Sequence, residues 1–188
     1  FISSYLSLKA DFTLQIRLGQ LPKYWRTVQP KIVKPDLLER QWSLDDNEKK
    51  VTMFETVLRK MIPIHIPTVY LEGYKELVMT VNNNWPKNPK AIFTSNNYLT
   101  DDYFKVWTAG KTQSGTPLII GQHGGHFGMT PFAFHEEHQI KIADKWISWG
   151  WDDKNRTQII PIGNLITLGE NVGYDPNGNA LMVEMAIP

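Results

Sequence analysis

The stretch Gly115-Thr116-Pro117-Leu118-Ile119-Ile120-Gly121-Gln122-His123-Gly124-Gly125-His126-Phe127-Gly128 constrains this chain more than any other. Leu118, Ile119 and Ile120 form a short apolar run, the pattern of a strand buried inside an α/β sheet. Gly124, Gly125 and Gly128 then remove side chains, so the backbone can turn sharply or lie close to a ligand. Polar side chains at the carboxyl end of such a strand stand where open α/β sheets bind their ligands. The pattern places the chemistry on this loop.

The remainder of the sequence supports a folded α/β chain around that strand. At 188 residues with 41% hydrophobic and 12% aromatic content, it is long enough to bury a core. A net charge of +1 predicts neither a nucleic-acid surface nor an acidic partner. The absence of cysteine excludes disulfides and thiolate metal sites and fits a reducing compartment. No apolar run reaches the length of a membrane span. The expected location is therefore cytoplasmic, including the inner face of the membrane. The chain opens inside an ordinary mixed segment and stops just after the apolar run 180–187. Both ends predict a piece of a longer protein.

Along the chain, Phe12, Leu14, Ile16 and Leu18 alternate with polar residues, which predicts a strand. Tyr24 and Trp25 read as packing residues in a long loop. Ser43 and Asp46 give a helix-start signal, and Val51, Phe54, Leu58 and Met61 repeat at helical spacing up to Pro63. His65, between two isoleucines and two prolines, reads as a plug between helices, with a role facing the cleft as the alternative. A second helix is expected after Pro67, capped by Thr68, with Leu71, Tyr74, Val78 and Val81 on one face.

Residues 90–94 and 117–121 read as parallel strands joined by a helix that Thr100 caps, with Leu99, Tyr103, Val106 and Trp107 along one stripe. A helix over 136–144 with Ile140 and Ala143 inward follows. Strands near 146–150 and 159–164 complete the unit. The Gly-, Asn- and Pro-rich segment 171–179 reads as a linker.

Four of the five histidines, His123, His126, His135 and His138, fall within sixteen residues. A metal-dependent hydrolase is therefore one alternative. His135 and His138 are three apart, not the four of a His-Glu-x-x-His helix, and no metal site or cofactor is expected. Acid–base or substrate contact is the leading reading, because imidazole titrates near neutrality. His123 follows the strand directly and is the catalytic candidate. Gln122, Gly124, Gly125, His126, Asn96, Glu137 and His138 are the candidate substrate contacts. Glu136 or Glu137 is placed to orient a histidine, and the Gly124 and Gly125 N–H groups to meet phosphate oxygens. The glycines match neither a dinucleotide fingerprint nor a P-loop, and no nucleophile elbow is present. Trp146, Trp149 and Trp151 read as packing, with sugar stacking as the alternative.

The run from Gly115 through Gly125, with Glu137-His138-Gln139-Ile140 and Trp149-Gly150-Trp151, resembles transferases of bacterial surface-polysaccharide biosynthesis. More distantly, the Thr-Pro…Gln-His-Gly portion is similar to the CDP-glycerol glycerophosphotransferases and related two-domain glycosyltransferases. The resemblance covers about residues 60–188 and is strongest over 88–164. It implies two Rossmann-like domains facing across a cleft, with His123 on the acceptor side. There His123 would serve as general base for the acceptor hydroxyl, or would hydrogen-bond the donor's phosphate. The implied partners are a nucleotide-activated sugar donor and a glycan acceptor. Gly124-Gly125-His126 departs from the glycerophosphotransferase continuation.

The expectation is thus an α/β, Rossmann-like parallel sheet with helices on both faces over residues 1–170, the N-terminal half of a GT-B-like pair. Residues 171–188 would supply a linker and the first strand of a second domain, with self-association through 180–187 as a consequence. The full protein would transfer a sugar or related group to a hydroxyl of a surface-polysaccharide precursor. The fragment alone would be inactive. The non-enzymatic alternative is a domain that binds a glycan or a protein.

Overall fold

The computed structural model describes residues 6–21, 32–44, 51–124, 126–164, 173 and 175–179. Tyr24, Trp25, Asp46, Gly125 and the run 180–187 lie outside the described residues.

Residues 8–17 form a helix, α1 (Leu8–Arg17), where alternation predicted a strand. The cause is visible in the spacing. Leu8, Phe12 and Ile16 are four apart, which satisfies a helical stripe as well as a two-residue period. The Ser7 side chain accepts the Ala10 N–H, Asp11 sits in the first turn and Arg17 in the last. These end effects favour the helix.

The next helix, α2 (Met53–His65), starts later than Ser43 predicted and passes through Pro63. Thr52 and Glu55 close a capping box: Thr52 Oγ1 accepts the Glu55 N–H at 3.2 Å, and Glu55 accepts the Thr52 N–H at 2.8 Å. At the other end, the Arg40 guanidinium donates to the carbonyls of Pro63, Ile64 and Ile66 at 3.0–3.1 Å. A helix leaves its last carbonyls without internal partners, and Arg40 supplies them. The same guanidinium grips both oxygens of Glu72, at 2.6 and 2.9 Å.

Hydrogen bonding from Arg40 pulls the Glu72 carboxyl down to about 2 against the opposing effect of burial, and the Asp36 N–H adds to it. Little of either side chain reaches water, 8% and 5%. Because the folded value lies below the unfolded carboxylate value of about 4.3, the pair stabilises the fold above that pH. Its contribution is lost as the pH falls toward 2. An Arg40→Met variant should melt lower at pH 7 and lose this acid-limb slope, which melting curves between pH 2 and 7 would show.

A 3-10 turn (Thr68–Tyr70) precedes α3 (Tyr74–Asn84). This turn moves the start of the expected second helix five residues onward, from a cap at Thr68 to one at Gly73, and Leu77 and Val81 are buried while Tyr74 is exposed. The chain then enters the sheet: β1 (Ile92–Thr94), the short α4 (Asn97–Thr100), α5 (Asp102–Gln113), β2 (Leu118–Gly121), α6 (Phe134–Ile142), β3 (Lys145–Ser148) and β4 (Ile159–Pro161). Asp101, not Thr100, caps α5, its carboxylate accepting the Phe104 N–H at 3.0 Å. The strands are all parallel in the order β1-β2-β3-β4.

Register puts Ile92, Leu118, Ile120, Trp146 and Ile159 on one face, and all five belong to one buried cluster. Phe104 and Trp107 of α5 and Ile140 of α6 join it, with Val81 and Trp85 brought in by α3 packed on α5. Right-handed crossovers stepping in one direction place their helices on one face, so α3, α5 and α6 share this face, where helices on both faces were expected. The protein is thus an α/β fold with a parallel, Rossmann-like sheet flanked by helices. The four strands share a carboxyl edge.

Candidate functional site

Three strand ends meet at that edge. β1 leads into Ser95 and Asn96, β2 into Gln122 and His123, and β3 into Trp149. Gly121 lets the first two close together, since a Cβ there would lie 2.9 Å from Phe93 Cζ and 3.4 Å from Ser95 Oγ.

Gln122 is buried and fully engaged. Its Oε1 accepts the Trp149 backbone N–H at 2.8 Å and the Trp151 indole N–H at 3.0 Å, while its carbonyl accepts the Trp149 indole at 3.0 Å. Its side-chain amide faces the Phe127 carbonyl at 3.5 Å. Gln122 therefore ties the glycine loop to the turn after β3, and the tryptophans 149 and 151 serve in that tie. Ser148 donates to the Trp151 carbonyl and holds the same turn.

Trp151 also rests on Gly128, whose φ of +73° belongs to the left-handed region. A Cβ at 128 would stand 2.8 Å from the indole ring. Gly128→Ala should therefore destabilise the protein by about 1–3 kcal/mol, from backbone strain and overpacking together. Urea unfolding would measure it, and a change near zero would mean that the loop yields freely. The Gly128 N–H donates to Glu136 at 2.6 Å, so Glu136 fastens the loop to α6.

His123 is partly buried, with its ring edge-on to Phe127 at 4.9 Å between centroids. Burial pushes its imidazole below the ordinary range; a hydrogen bond to the Gly124 backbone opposes this, and His135 adds to the lowering. Burial thus disfavours the charged form of the ring. Its Nε2 lies 3.3 Å from Nε2 of Gln139, and Gln139 Oε1 accepts the Trp146 indole N–H at 3.0 Å. Both Gln139 and Trp146 have no exposed surface. The Tyr98 hydroxyl faces the same amide without a partner of normal geometry, and burial pushes it up to about 12.

The other candidates spread outward. Gly124 and His126 are exposed on the loop, the His126 ring 6.0 Å from that of Phe127. Asn96 is partly buried, just before α4. Glu137 pairs with Arg156 at 2.7 Å and so does not touch a histidine. His138 is exposed, 6.1 Å from the Tyr98 ring. His65 is exposed at the end of α2. Among the described residues no three His, Asp or Glu side chains converge as a metal site. The metal-hydrolase alternative therefore finds no clustered ligand set there. No helix among them is long and apolar enough to cross a membrane.

The residues that sequence reasoning missed are Gln139 and Trp146's part beside it. A signal existed. Gln139 lies four residues before Ala143, which was read as inward, so both occupy one stripe of α6. The arrangement offers a partly buried imidazole, an exposed glycine and buried hydroxyls at the carboxyl edge of a parallel sheet. Such a site suits binding and transfer of a polar group.

No curated protein and no solved structure matches this chain. One family profile does, described as LIC12162 family transferase, and it spans residues 1–188. With the whole chain covered, this protein belongs to the LIC12162 family of transferases.

Proposed function

We propose that this transferase moves a sugar or related group from a nucleotide-activated donor to a hydroxyl of a surface-polysaccharide precursor. The observation that carries the reading is His123, braced by a buried glutamine, at the carboxyl end of a parallel strand and beside an exposed glycine. Transfer from a diphosphate-linked donor develops negative charge on the leaving oxygen, and fixed N–H groups stabilise it. The Gly124 N–H and the His123 imidazole are the groups of this loop suited to that task. Asn96 at the neighbouring strand end, and His126 and His138 at the rim, are the proposed further contacts.

The sheet would form the acceptor-side half of a two-domain enzyme, with residues 171–188 leading into the second half. Closure of such a cleft orders donor and acceptor and excludes water. The test is nucleotide release by the full-length protein from UDP-, GDP-, CDP- and dTDP-sugars and CDP-glycerol, with and without a polysaccharide extract. Acceptor-dependent release from one of them is the expected result. Absence of release from all of them, with the protein folded, would overturn the reading.

A further inference from the structure

The Gln139 amide sits between two groups that together leave it one orientation. An indole N–H donates and never accepts, so the Gln139 atom facing Trp146 Nε1 is the oxygen. The amide N–H₂ then faces His123 Nε2 at 3.3 Å. A donor requires an acceptor opposite it, so Nε2 carries the lone pair and the proton of the neutral ring lies on Nδ1. Turning the amide over would set two donors face to face at Trp146. No water can compensate, because Gln139 and Trp146 are sealed from solvent. The ring's bond to the Gly124 backbone is of the kind that favours added protons, so the ring donates there. Gly124 is the loop side of the histidine. Other described neighbours are the edge-on Phe127 ring, at longer range His135, and the Tyr98 hydroxyl, which faces the same amide.

We propose that Gln139 is a positioning residue that fixes His123 as the Nδ1–H tautomer, so that the ring's one N–H lies on the glycine-loop side, at the Gly124 backbone, and its lone pair is withheld from base catalysis. This rests on the reading of the loop as the transfer site. It withdraws one of the two roles open to His123, that of base. A base needs a lone pair facing the acceptor hydroxyl, and the lone pair here is turned inward onto a buried amide. Gln139 touches no substrate and acts through the ring it holds.

Long-range proton–nitrogen NMR of the 188-residue chain reads the tautomer directly. In the wild type, the neutral His123 ring should show a pyrrole-type Nδ1 and a pyridine-type Nε2. Gln139→Met removes the amide and should admit the Nε2–H form. Gln139→Glu keeps an acceptor for Trp146 while offering His123 an acceptor in place of a donor. It should move the proton to Nε2 and raise the ring's titration midpoint by about 1 unit or more. A wild-type proton on Nε2, or a tautomer unmoved by both variants, would overturn the proposal. In the full-length enzyme, Gln139→Glu should also slow nucleotide release at least about tenfold, as for loss of a poised donor. If the tautomer is as expected but His123→Ala transfers normally, the reading of the loop fails and the positioning of the ring stands.

Discussion

Replacing His123 with alanine should lower acceptor-dependent nucleotide release by about 10²–10³-fold, the usual cost of removing one preorganised donor at a developing oxyanion. The fold should survive, because the ring is only partly buried and its loop is held independently. Gln122 binds the turn after β3, and Glu136 binds the Gly128 N–H, without involving the histidine. Turnover and thermal melting of the same preparation separate the outcomes. A normal rate would remove His123 from the chemistry. A collapsed melting transition would make it a structural histidine. His123→Asn should retain part of the rate, since an amide can still donate.

The largest stability effect is expected at Trp146. Its side chain is fully buried at the centre of the cluster, against Phe127 at 6.4 Å and Trp151 at 5.2 Å between ring centroids. Trp146→Ala should cost about 3–5 kcal/mol, from lost transfer energy and the cavity left behind. Trp146→Phe is the more informative change. It keeps most of the ring but removes the indole N–H, leaving Gln139 Oε1 buried and unpaired at a cost of about 1–3 kcal/mol. It also frees the amide to turn over, so the His123 tautomer should become mixed. Urea midpoints at constant slope would give both values. A loss below about 1 kcal/mol for Trp146→Ala would mean that the cluster repacks around the gap.

The parts of this architecture that were legible in the sequence are those where one period excluded the other. Leu118-Ile119-Ile120 between glycines is too short for a helix, and it is a strand. Residues 12–18 were misread because positions four apart serve a two-residue period and a helical stripe equally. The Ser7 cap decided between them. The start of α2 was misplaced because Ser43 and Thr52 both precede acidic residues at capping distance, and the structure uses Thr52. The helix runs on through Pro63, and Arg40, twenty-three residues earlier, caps the last carbonyls beyond it, a contact no local pattern reveals. The site divided in the same way. His123 and Gly124 could be placed from the strand they follow. The burial of Gln122 and Gln139 could not, since a glutamine beside a glycine loop or on a helix is as readily solvated. Their roles come from indole donors that the fold brings to them across the sheet edge.

In the proposed function, the loop after β2 receives the phosphate-bearing part of a transfer donor. Titrating the isotope-labelled chain with UDP-glucose and CDP-glycerol tests it most directly, in a dissociation range of roughly millimolar that suits half of a two-sided cleft. The account predicts saturable shifts of the Gly124 amide, the His123 ring nitrogens and the Gln139 side-chain amide for at least one of the two. Residues at the opposite edge of the sheet, such as Asn88 and Lys111, should stay still. Shifts confined to that opposite edge, or none at the loop up to millimolar ligand, would contradict it.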